Sequence, residues 1–172
     1  MSTQRTIRKV IRAQKVNMGG IILDQALPVR GVDQIDPILL IHHLKNEVPA
    51  GADYKTVGVG PHPHRGFSPV TFVFEGSIHH RDSLGTSSIV RAGGTQYMFS
   101  GNGIVHSERP SKKLATEGGT WEITQFWVNA PSKLKMTDAN YIPLQPEDTP
   151  VIKSLDTKIA VGVVSGDFIG RK

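Results

Sequence analysis

The sequence predicts an all-β domain, a sandwich or small barrel, on two observations. Glycines from Gly58 to Gly103 punctuate the chain every six to ten residues, and the segments between them are rich in β-branched and aromatic side chains, which suit a pleated, half-buried surface. Helix signals are nearly absent, with no apolar stripe of period 3.6. At 172 residues and 38% hydrophobic composition, the chain is long enough for one well-buried core.

Ile7, Ile11 and Ala13 alternate with Arg8 and Arg12 at a period near two, which predicts an edge strand over residues 5–16. Gly19-Gly20 breaks it, and residues 21–23 open the next apolar segment. Residues 38–41 predict a short buried strand bounded by Pro37. Residues 70–74, 78–80, 88–90, 96–99, 104–106 and 121–128 supply six more. Gly101-Asn102-Gly103 precedes a strand rather than a helix, so it predicts a hairpin turn and not a phosphate loop. Residues 131–157, with Pro131, Pro143, Pro146 and Pro150 among charges, predict a linker or surface excursion. A last apolar strand is expected at residues 159–164. The domain reading is a barrel over residues 1–130, then a linker and the possible start of a second barrel over residues 131–172.

The net charge of +5 belongs to one arm. Arg5, Arg8, Lys9, Arg12 and Lys15 precede the first acidic residue, Asp24, and without them 15 basic residues face 15 acidic ones. A nucleic-acid partner is therefore not expected. The same charges stand where a secretion signal needs its apolar core, and no 18-residue apolar run exists, so a cytoplasmic protein without a membrane span is expected. With no cysteine, disulfides, thiolate metal sites and thiol nucleophiles are excluded.

Five of the seven histidines lie between residues 62 and 106. His62-Pro63-His64 and His106-Ser107-Glu108 place ligand-type side chains at i and i+2, which share one face of a strand. Two neighbouring strands can converge all four on one ion, and imidazole with carboxylate suits Fe, Mn, Co, Ni, Cu or Zn. Four donors leave two positions of an octahedral ion for substrate and dioxygen. Alternation lets only one of His42-His43 and one of His79-His80 face inward, and it sends Ser107 away from His106 and Glu108, against a serine nucleophile. Trp121, Phe126 and Trp127 read as packing rather than a platform for bases.

The flanks of these motifs carry a resemblance. Residues 61–67 (PHPHRGF), 80–85 (HRDSLG) and 101–108 (GNGIVHSE) closely resemble the pirin family of cupins, and residues 36–40, 125–129 and 164–167 resemble it in the same order. The resemblance implies a cupin-type double-stranded β-helix, a jelly-roll barrel, with a mononuclear metal, usually Fe(II), on His62, His64, His106 and Glu108. It also implies an activity like quercetin 2,3-dioxygenase, in which dioxygen opens a flavonol-like aromatic substrate with loss of carbon monoxide; Glu108, a ligand close to the substrate proton, is expected to serve as base. Some eukaryotic members imply the alternative, an iron-binding, redox-responsive interaction module without turnover.

Three departures stand out. Ser68 occupies a position where pirins usually carry Glu, which should cost hydrogen bonding around the ligands rather than a ligand itself. The usual Arg-Pro-Gly-Asp turn is Arg91-Ala92-Gly93-Gly94 here. Pirins are typically two-barrel proteins, so the strand at residues 159–164 is expected to lack a partner, which predicts either a homodimer or a truncated product of a longer protein.

Overall fold

A computed structural model describes residues 6–170. In chain order the strands are β1 (Gln14–Met18), β2 (Ile21–Leu27), β3 (Ile38–Val48), β4 (Val59–His64), β5 (Phe67–Glu75), β6 (Ser77–Asp82), β7 (Ser87–Arg91), β8 (Thr95–Phe99), β9 (Ile104–Pro110), β10 (Gly119–Asn129), β11 (Asn140–Leu144), β12 (Val151–Lys153) and β13 (Ala160–Gly162). A short helix, α1 (Lys112–Glu117), lies between β9 and β10. A seven-stranded sheet runs β1-β2-β3-β10-β5-β8-β11 and a four-stranded sheet runs β4-β9-β6-β7. Their strand pairs are antiparallel.

The two sheets close on each other as a jelly-roll barrel. Leu23, Leu44, Val73 and Trp121 from the larger sheet pack against Ile78 and Val90 from the smaller. Replacing a buried ring such as Trp121 by alanine costs about 3–5 kcal/mol in such a core, so this apolar cluster contributes a large share of the fold's stability. Along β10 the chain passes from Trp121 in the core to Trp127 near the histidines of β4. The site thus rests on elements that the core already fixes.

Several segments differ from the sequence reading. The edge strand begins at Gln14, not near residue 5, because its partner β2 ends at Leu27 before Pro28, whose nitrogen carries no hydrogen. Residue 5 itself lies outside the described residues. The strand expected at residues 38–41 extends to Val48, with Leu40, Leu44 and Val48 inward. Helix α1 was not foreseen. Ser111 caps it by accepting from the Leu114 amide at 3.2 Å, and Gly118 closes it at φ 78°.

The segment expected to be a linker contributes a strand of the barrel. β11 pairs with β8 from Asn140↔Phe99 to Leu144↔Thr95. The predicted hairpin turn helps seat it: the Asn102 amide donates to Thr137 O at 2.8 Å. Gly101 there has φ +47°, and a Cβ on it would lie 2.1 Å from Thr137 O, so only glycine fits. The last apolar strand is not unpaired either, since β13 pairs with β12 in an antiparallel ribbon. Among the described residues, no helix is long and apolar enough to cross a membrane.

Candidate metal centre

β4 and β9 are neighbours with His62 opposite His106 and His64 opposite Ile104. Alternation along β4 and the direct pairing across the ladder bring three imidazoles together. Their nearest ligand atoms all lie within 4.8 Å of one another. His64 and His106 are buried and His62 is half-buried.

The hydrogen bonds around these rings fix which nitrogen faces the centre. His62 Nδ1–H donates to Gly60 O at 2.8 Å, leaving Nε2 free. Behind His106, His80 Nε2–H donates to Asp82 Oδ2 at 2.7 Å, so His80 Nδ1 accepts from His106 Nδ1–H at 3.3 Å. Both His64 Nε2 and His106 Nε2 are buried without a hydrogen-bond partner. Orphaned nitrogens on converging imidazoles are what a divalent metal requires, and a second hydrogen bond on the far nitrogen is the usual support for such a ligand.

Electrostatics keep the lone pairs available. Burial, then the neighbouring His106 and His62, lowers the His64 pKa from 6.5 to about 4, against the opposing charge of Glu108. Burial, then His62 and His80, lowers His106 to about 3, against Asp82. Both rings are neutral at pH 7, the form that binds metals. Burial tends to raise the Asp82 carboxyl, but its bonds from His80 and from the Thr86 and Leu84 amides win, and its pKa is lowered.

Glu108 is placed differently from the three histidines. It lines the same cavity and is buried, but it lies outside the group gathered within 4.8 Å. Gln96 Nε2 donates to its Oε1, and Gln125 Nε2 reaches both of its oxygens at 3.1 and 3.0 Å. Trp127 Nε1–H donates to Gln125 Oε1 at 2.9 Å, and Tyr141 O–H donates to Gln96 Oε1 at 3.2 Å, so each amide is itself oriented. Tyr141 also stacks on His80, with ring centroids 3.7 Å apart and planes at 6°.

The cavity above the histidines has a volume of about 940 Å³, within the usual range of small-molecule sites. Phe67 and Trp127 form one wall, their centroids 4.5 Å apart and each about 5 Å from His64. Trp127, read from sequence as packing, therefore faces the cavity, whereas Trp121 is core and Phe126 packs on Phe72. Of the adjacent pairs, His80 and His42 face inward. His79 and His43 bond Ser87 and Glu122 instead. Sequence reasoning missed Asp82, Gln96, Gln125 and Tyr141. Asp82 had a signal, since His80-Arg81-Asp82 repeats the spacing of His106-Ser107-Glu108.

A jelly-roll barrel with imidazoles converging from adjacent strands defines a cupin. The chain belongs to the pirin family, whose model matches residues 21–128. It is 34% identical over 163 residues to a pirin-like protein of Caulobacter vibrioides, covering 94% of this chain and 56% of that relative. A solved quercetin 2,3-dioxygenase from Acinetobacter baumannii superposes with a TM-score of 0.80 at 31% identity, covering 94% of this chain and 57% of that one. An Escherichia coli pirin solved with nickel(II) shares the fold at a TM-score of 0.62 and 24% identity, over 87% of this chain and 64% of that one. The chain spans about half the length of the curated relatives it matches.

Proposed function

We propose that this chain holds a mononuclear divalent metal on His62, His64 and His106, with Glu108 as the fourth donor, and opens a flavonol-like aromatic substrate with dioxygen. The observation that carries this reading is the pair of buried, unpartnered nitrogens, His64 Nε2 and His106 Nε2, converging with His62 below an aromatic-walled cavity. Iron(II) is the metal of this proposal, and Mn, Co, Ni, Cu and Zn suit the same donors. Bound there, the metal supplies Lewis acidity toward a substrate hydroxyl oxygen.

The remaining work falls to side chains of the barrel. Glu108 accepts the hydroxyl proton, and the amides of Gln96 and Gln125 aim its carboxylate. Phe67 and Trp127 offer flat apolar faces to an aromatic ring. The likeness to the Acinetobacter quercetin 2,3-dioxygenase supports the substrate class.

The test is aerobic incubation of Fe(II)-loaded protein with quercetin, following substrate absorbance and carbon monoxide together. One carbon monoxide released per quercetin consumed is the expected result. Stoichiometrically loaded protein that consumes no quercetin with any of the six metals would overturn the reading.

A further inference from the structure

The outer face of the four-stranded sheet carries a second cavity, of about 430 Å³, lined by Tyr54, Lys55, Arg81, Val105, Ser107 and Arg109 among others. We propose that it binds a small organic phosphate, a phosphomonoester with an apolar or aromatic body.

Beyond the N-terminal arm, acidic and basic residues balance, yet Lys55, Arg81 and Arg109 converge here, and among the described residues none of them pairs with a carboxylate. The one acid at the cavity, Asp82, has a fully buried side chain committed to His80.

Register then places the cations. His79 lies opposite Arg109 and Arg81 opposite Ser107, so the two arginines are diagonal neighbours, about 7–8 Å apart at the backbone and within joint reach of one anion. Each guanidinium is steadied at one nitrogen. Arg109 donates to Val57 O at 2.9 Å, and Arg81 Nε donates to His79 Nε2 at 3.3 Å, leaving the other N–H groups free. Burial first, and then the charge of Arg81, lowers the His79 pKa, as a positive field there should.

Phosphate fits this array better than carboxylate. Two guanidinium forks and an ammonium offer more donors than two carboxylate oxygens accept, whereas a phosphomonoester presents three. The cavity exceeds what a bare phosphate fills, and Tyr54 and Val105 give it an apolar side. Lys112 Nζ sits 5.6 Å from the Tyr54 ring centre, adding a cation at the rim.

Calorimetry on the metal-loaded protein at low salt tests this with phenyl phosphate, inorganic phosphate, benzoate and phenol. Phenyl phosphate should bind tightest, and Arg81→Gln and Arg109→Gln should each weaken it about tenfold. Chelating the metal should leave its affinity unchanged. Absence of phenyl phosphate binding, or binding that both substitutions leave intact, would overturn the site. Equal affinity for benzoate or inorganic phosphate would overturn the phosphomonoester assignment. Affinity lost on chelation and retained in Arg81→Gln would place the anion on the metal instead, which also overturns it.

Discussion

The two sheets of the barrel bring different chemistry to one cavity. The four-stranded sheet supplies His62, His64 and His106, the His80–Asp82 pair behind them, and Glu108. The seven-stranded sheet supplies no part of the histidine cluster. It contributes the amides of Gln96 and Gln125 that grip Glu108, the indole of Trp127, and the Tyr141 ring on His80. One sheet thus carries the donors and, through Gly60 and His80, orients two of the imidazoles, while the other aims Glu108, a division that a barrel permits because its inner faces look at each other. Loss of a donor and loss of an aiming group should therefore differ in kind as well as in size.

The largest effect is expected on the donor side. His64→Ala removes a buried imidazole whose Nε2 has no other partner, so metal affinity should fall more than about 100-fold, beyond what supporting groups typically cost. The apolar core does not include His64, so circular dichroism and the thermal transition should stay cooperative. Competition with a coloured chelator measures the affinity, and near-full occupancy in the variant would mean that the metal sits elsewhere.

Glu108 distinguishes a donor from a base. Glu108→Gln keeps size and an oxygen but removes the proton acceptor, so turnover per bound metal should drop about 10²–10⁴-fold at saturating metal. Unchanged turnover per metal would leave Glu108 as a ligand alone. Gln125→Leu tests the opposite sheet. It deletes the 3.1 and 3.0 Å bonds to Glu108 while leaving every histidine in place, and a loss of about 10–100-fold in turnover is expected. A loss as large as that of Glu108→Gln would show that the two sheets do not divide the work.

The same division explains what could be read from sequence. His62-Pro63-His64 and His106-Ser107-Glu108 are chemically rare residues at period two, so strand alternation alone put them on one face. The β-rich barrel was legible from glycine spacing, and six inner segments fell within strands. Gln96 and Gln125 were silent because a single amide in an apolar strand looks like any satisfied polar residue. Tyr141 was hidden for another reason: β11 contains Pro143 and lies among prolines and charges, and an edge position, pairing only with β8, is where a strand tolerates proline. Local composition argued for a linker, and long-range pairing overrode it.

The smallest expected effect concerns protons, and it too separates the sheets. His64 and His106 titrate near 4 and 3 in the folded chain, against 6.5 ordinarily. Between those values the unfolded chain binds more protons than the folded one, so stability of the metal-free protein rises with pH across that window and falls as pH drops below about 6.5. Above pH 7 these rings contribute no slope. Carboxylates titrate lower, which leaves pH 5–6.5 as the range where the histidines dominate. His42, on the seven-stranded sheet, is lowered by burial alone, without the neighbouring imidazole charges that add to burial at His64. In urea melts of metal-free protein across pH 5–6.5, His64→Phe should therefore flatten the dependence more than His42→Phe does. An undiminished slope in His64→Phe would show that its ring does not stay neutral in the fold, and the electrostatic case for a cluster of free lone pairs on the smaller sheet would fail with it.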